Sequence, residues 1–180
     1  MLNSLFVGKE KMNNGFIMLY SDILMEDAII KNLISQKEDI IIVADNSTQY
    51  HAPKEGNILD FIIAKHQHKP ARREIHFVSE NVVSKIGNKI NPETASHEFI
   101  GVARFSKIGA EQLIETYNDI IKNYQGRFQE SEDISQLNFT DLIQEMIDRG
   151  FVVHFMEIHK GWLEIHNAEH IALAEKSFTK

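Results

Sequence analysis

Apolar runs of strand length alternate with apolar residues at helical spacing, and the first two such runs each close on a carboxylate. Residues 16–20 follow the turn signal Asn13-Asn14-Gly15 and lead into Ser21-Asp22; the β-branched run Ile40-Ile41-Ile42-Val43 leads into Asp45. Unbroken apolar runs of this length predict strands buried on both faces. Between them Met25, Ile29, Ile30, Leu33 and Ile34 recur at helical spacing,. Strand, helix and strand in this order predict a parallel α/β unit, whose ligands gather outside the carboxyl ends of the strands. A carboxylate there, Asp22, can hold a divalent cation against substrate phosphates. The alternative for Ser21-Asp22 is a plain cap on the following helix.

Farther along, the signals continue to alternate. From residue 46 to 70 the periodicity fades and polar residues accumulate with three His and two Pro, which predicts a loop over the sheet edge. Ile75-His76-Phe77-Val78 followed by residues 82–87 predicts a β-hairpin, so residues 46–98 form a loop and hairpin insertion in a single domain spanning residues 1–180. A strand over 99–105 precedes a helix with Ala110, Leu113, Ile114, Tyr117 and Ile121 on one stripe, which Ser106 caps,. Residues 126–137 are polar and irregular. Asn138 with Asp141 then opens a helix whose apolar face is Phe139, Leu142, Ile143, Met146 and Ile147, and Gly150 ends it,. A strand over 151–158 follows, and Asn167 caps a last helix with Ile171 and Ala174 inward.

The segment Gly161-Trp162-Leu163-Glu164-Ile165-His166 carries the most chemistry. In an extended chain Trp162, Glu164 and His166 share one face, which sets a carboxylate, an imidazole and a large aromatic side by side,. An acid and an imidazole so placed can hold a divalent metal; a solvated strand end is the plainer reading. Glu98, before Phe99-Ile100-Gly101, can reach a ligand from the start of its strand, and Gly101 can admit a close approach,. A hairpin end with a glycine kink would read the same way. His66 and His68 sit among cations in a polar stretch, and neither His154 with His159 nor His166 with His170 has a third partner at zinc spacing,. No Ser-His-Asp spacing announces a nucleophile.

Composition narrows the function. Nineteen Lys and Arg against 26 Asp and Glu give a net charge of −7, which disfavours nucleic acid as a partner. The chain has no cysteine, so disulfides, thiolate metal sites and thiol nucleophiles are excluded. Its longest apolar runs are strand-sized, and residues 1–6 lack the basic start of a signal peptide,. A soluble cytoplasmic protein with no membrane partner is the expectation.

Read in order, Gly15-Phe16-Ile17-Met18-Leu19-Tyr20-Ser21-Asp22-Ile23, Lys85-Ile86-Gly87, Glu98-Phe99-Ile100-Gly101-Val102-Ala103-Arg104-Phe105-Ser106, Thr140-Asp141-Leu142-Ile143-Gln144-Glu145-Met146-Ile147-Asp148-Arg149-Gly150 and Gly161-Trp162-Leu163-Glu164-Ile165 resemble the C-terminal half of a small-molecule nucleotidyltransferase. The branch they resemble is that of bacterial choline-phosphate cytidylyltransferases and of the nucleotidyltransferase domains fused to phosphoenolpyruvate mutase. The resemblance implies a Rossmann-like mixed, mostly parallel sheet with flanking helices and a β-hairpin insertion, lacking the usual N-terminal βαβ elements. It implies transfer of a nucleoside monophosphate, CMP from CTP in this branch, onto a small phosphate or phosphonate acceptor with release of pyrophosphate. Mg²⁺ would be the cofactor. Asp22 and Glu164 match the metal-binding acids, His166 stands as a third ligand, and Trp162, Glu98 and Ser21 fall on the acceptor side.

Two departures from the family pattern stand out. His166 occupies a position where the family usually has a second acid, and an imidazole suits Mg²⁺ less well than a carboxylate. The Gly-rich, Arg-containing loop and the Lys-Pro that cradle the triphosphate have no counterpart, since Gly8 stands alone and Lys69-Pro70 lies in another context. About a hundred residues of such a domain are therefore expected to be supplied elsewhere, by an N-terminal half-chain, a homodimer partner or the remainder of a longer protein. Without them the strand at 16–20 would keep an unpaired edge and an uncovered face. The rival expectations are a non-catalytic scaffolding remnant of the same fold and a glycosyltransferase that binds a nucleotide-sugar metal through Asp22.

Overall fold

The computed structural model describes residues 2–47, 59–65 and 81–178. In chain order the elements are α1 (Leu2–Val7), β1 (Phe16–Leu19), β2 (Ile23–Met25), α2 (Asp27–Ser35), β3 (Ile40–Asp45), β4 (Phe61–Ala64), β5 (Val83–Gly87), β6 (His97–Phe105), α3 (Lys107–Asn123), α4 (Phe139–Asp148), β7 (His154–Ile158), β8 (Trp162–Glu164) and α5 (Ala168–Phe178). A six-stranded sheet runs β5-β4-β6-β3-β7, with β1 also paired to β6, and β2 and β8 form a separate two-stranded sheet. This is the mixed α/β architecture with flanking helices that the resemblance implies. No described helix is long and apolar enough to cross a membrane.

The parallel unit differs from its expected form. β1 and β3 both pair antiparallel with β6 and lie on either side of it, while the parallel pairing among the described strands is β3 with β7. The crossover through α2 therefore spans an intervening strand. β3 alternates its side chains between two cores, as a strand buried on both faces must. Ile40, Ile42 and Ala44 join Phe99, Ala103, Phe105, Leu113 and Leu142 beneath α1, α3 and α4. Ile41 and Val43 meet Ile29, Leu33, Ile100 and Val102 on the opposite face, where α2 and the β2–β8 ribbon lie.

Several local expectations are corrected. β1 is buried on one face only: Met18 is 7% exposed, but Ile17 and Leu19 are 38% and 49% exposed, because α2 covers β3 and β6 and not the strand at their side. Met25 belongs to β2, not to the helix, and Ile34 is exposed. The run Phe61-Ile62-Ile63-Ala64, read as loop, is strand β4 and pairs antiparallel with β5. The proposed first hairpin arm 75–78 lies outside the described residues, as do His66, His68 and Lys69-Pro70. Ile121 and Ile171 face solvent, at 46% and 50% exposure, whereas Ala174 is buried.

The caps follow the sequence closely. The Ser106 hydroxyl accepts from the Gly109 amide at the start of α3. Asn138 and Asp141 form a capping box on α4, and the φ of +90° at Gly150 carries the chain past its end,. Asn167 Oδ1 accepts from the His170 amide to open α5.

Candidate functional site

The site forms where strand ends from both sheets converge. β2 begins one residue after Asp22 and pairs antiparallel with β8, with Ile23 opposite Glu164. The Ile165 amide donates to the Asp22 carbonyl at 2.8 Å, extending the ribbon past both acids. Asp22 is thus no helix cap, since α2 starts at Asp27 with Glu26 at its N-cap. Residues distant in sequence are brought side by side: Asp22, Glu164 and His166 each offer a ligand atom, all within 4.8 Å of one another. His166 Nε2 stands 2.8 Å from Glu164 Oε2. Among the described residues no other cluster of three His, Asp or Glu side chains has this spacing.

Trp162 is anchored rather than free. Its indole N–H donates to Asp45 Oδ2 at 2.7 Å, and Asp45 Oδ1 accepts from the amides of Lys160 at 3.1 Å and Ser47 at 2.8 Å. The Ser47 hydroxyl completes the set at 2.8 Å. Burial alone would raise the Asp45 pKa, but these donors outweigh it and hold the carboxyl below its ordinary value,. Lys160 and Gly161 both have positive φ, +62° and +83°. The turn that swings β8 toward Asp22 is therefore held by a buried carboxylate, whose part in this the sequence marked only as the acid ending a strand.

A small open cleft adjoins the ribbon, lined by Tyr20, Asp60, Glu98, Phe99, Trp162 and Glu164 among others. Glu98 is not a hairpin end: it lies in the central strand β6, 7% exposed, opposite Asp45 on one side and Phe61 on the other. Burial, reinforced by the carboxylates of Asp45, Glu164 and Asp60, pushes its pKa up to about 7. Asp60, which the sequence reading missed, is pushed up to about 6 by burial and by Glu130, Asp141 and Glu164. Burial also raises the Tyr20 phenol, with the charges of Asp60, Asp22 and Glu164 adding to it. No Lys or Arg lines this cleft among the described residues. Its field favours a positive group.

Gly101 makes room for one wall. With φ +75° it sits in an irregular stretch of β6, and an added Cβ would collide with the Tyr20 ring,. The close approach expected at this glycine is made by Tyr20, which meets Phe99 edge-on with centroids 5.9 Å apart,. Ser21 is exposed in the turn between β1 and β2 and does not line the cleft.

Solved structures share this arrangement of elements. The inositol-1-phosphate CTP transferase from T. maritima matches 99% of this chain and 64% of its own, with TM-score 0.61 and 17% identity. The fold is that of solved nucleotidyltransferases. A nucleoside-diphosphate-sugar pyrophosphorylase from Vibrio cholerae matches 97% of this chain and 64% of its own, with TM-score 0.60 and 16% identity. The CTP:phosphocholine cytidylyltransferase from Streptococcus pneumoniae gives 97% and 61%, with TM-score 0.59 and 12% identity. The chain thus spans less than two thirds of the length of the structures it matches. No protein-family model matches the sequence, and comparison with curated proteins finds no sequence relative.

Proposed function

We propose that this chain supplies the cation-binding and acceptor-binding side of a nucleotidyl transfer, moving a nucleoside monophosphate from a triphosphate, CTP by the resemblance, to a small phosphorylated amino alcohol. The observation that carries the reading is the convergence of Asp22, Glu164 and His166 beside a cleft walled by acids and aromatic rings. An acceptor phosphate oxygen attacks the α-phosphorus, a new P–O bond forms, the α–β bridging bond breaks and pyrophosphate leaves. A divalent cation bound at the triad would offset phosphate charge that the net-negative surroundings otherwise repel. Asp22, Glu164 and His166 would hold that cation through their carboxylate oxygens and imidazole nitrogen. Glu98, Asp60 and the faces of Trp162 and Tyr20 receive the ammonium group of the acceptor, by charge and by cation–π attraction.

Recognition of the acceptor is tested first, because it depends on Glu98, Asp60, Trp162 and Tyr20 of this chain. Trp162, the single tryptophan, reports on the cleft by its fluorescence. Choline phosphate or ethanolamine phosphate, titrated with a divalent cation present, should shift its emission, and glycerol phosphate should do so far more weakly. Equal responses to all three would sink the ammonium subsite. Transfer itself, with the triphosphate-binding half supplied in trans, is read as pyrophosphate release from four nucleoside triphosphates, and Glu164→Gln should abolish it; the chain alone should turn over poorly. The exposed Ile17 and Leu19 on β1 support a second reading, a scaffold that pairs with another polypeptide; such a protein would be indifferent to Glu164→Gln.

A further inference from the structure

The donor set at the triad differs from what Mg²⁺ prefers. Mg²⁺ is hard, takes oxygen ligands and gives up its waters reluctantly. Imidazole nitrogen suits the first-row transition ions instead, and Mn²⁺ accepts carboxylate oxygens as readily as Mg²⁺ does. Here two carboxylates meet one imidazole, with no third acid within the group. We propose that the Asp22, Glu164 and His166 site selects a first-row transition cation over Mg²⁺, with His166 Nε2 as the selecting ligand. This rests on reading the triad as a cation site.

The geometry suits the assignment. Two neighbouring ligand atoms on an octahedral ion at about 2.1 Å lie about 3 Å apart, and opposite ones about 4.2 Å. The Glu164 Oε2 to His166 Nε2 separation of 2.8 Å is the neighbouring spacing; Asp22 lies within 4.8 Å of both, and closing on an ion would draw its carboxylate inward by up to about half an ångström,. The segment bearing both ligands is also stitched in place. His170 Nδ1 lies 3.0 Å from the Glu164 carbonyl oxygen, the His170 amide donates to Asn167 Oδ1, and the Ile165 amide ties the strand to Asp22. His166 is 44% exposed at its side chain, so an ion can reach it without rearrangement of the core.

Mn²⁺ is the probe, because free Mn²⁺ is counted by its electron paramagnetic resonance signal without any turnover. The purified chain should bind Mn²⁺ with a preference over competing Mg²⁺ on the order of tenfold or more. A nitrogen hyperfine coupling from the imidazole should accompany binding. His166→Asp, which converts the site to three carboxylates, should remove the coupling and reduce the preference about tenfold; circular dichroism confirms that the variant is folded, and His166→Gln serves as the second variant. Mn²⁺ bound without nitrogen coupling, or a preference unchanged in His166→Asp, overturns the assignment of His166 while leaving the cation site intact. If neither ion binds, both this inference and the cation reading beneath it are overturned.

Discussion

Replacing Glu98 with Gln tests the electrostatics of the cleft directly, because glutamine copies the shape of the protonated acid and cannot ionise. Glu98 is 7% exposed, and its pKa is raised from 4.5 to about 7, first by burial and then by Asp45, Glu164 and Asp60. The folded state therefore binds this proton more tightly than the unfolded chain does. Below about pH 4.5 the group is protonated in both states and costs nothing; as pH rises from there to about 7 the unfolded state gains an ionisation that the folded state resists, so stability falls. A difference of about 2.5 pH units at about 1.36 kcal/mol each sets the full cost near 3 kcal/mol. Urea unfolding of Glu98→Gln and the parent should nearly coincide at pH 4.5. By pH 8 the variant should be more stable by about 2–3 kcal/mol. A gap that is constant with pH, or a variant less stable at pH 8, would refute the claim that Glu98 is held in a negative, poorly solvated site.

Other perturbations follow from the same geometry. Asp45→Asn places an amide N–H where four donors now converge, and it should cost about 2–3 kcal/mol and shift Trp162 emission to the red. Gly101→Ala combines a positive φ with a collision against Tyr20 and should destabilise by more than about 2 kcal/mol in thermal or urea unfolding. Ser106→Ala removes the N-cap acceptor of α3 at about 1 kcal/mol, and a loss under a few tenths would show that the cap is redundant there.

The sequence marks those parts of the fold whose signals are local. Ser106, Asn138 with Asp141, and Asn167 announce helix starts because a cap needs only a side chain and an amide within a turn of it. Strand β3 is legible because six consecutive residues are buried on alternating faces. Strand β2 is not, since three residues paired only with β8, some 140 positions away by sequence numbering, leave no local period and blend into the helical spacing of Ile29 and Leu33. Strand β4 fails for a related reason: a four-residue apolar run inside polar sequence reads as noise until β5 and β6 pair with it. At the site, alternation set Trp162 beside Glu164, and the resemblance set Glu164 with Asp22. Asp60 and the clamp at Asp45 carry no such mark, because their importance comes from which carboxylates and donors the fold brings around them.

The ribbon of β2 and β8 has a mechanical consequence. Asp22 and Glu164 are carried by one two-stranded piece outside the main sheet, while Glu98 is embedded in β6. A tilt of that piece would carry the two acids together and keep their mutual spacing, yet alter their reach to Glu98. The spacing of the two acids and the width of the adjoining cleft are thus separate degrees of freedom. The bonds from Trp162 and Lys160 to Asp45, with the packing of Ile23, Met25 and Trp162 on the core beneath, limit how far they can drift apart.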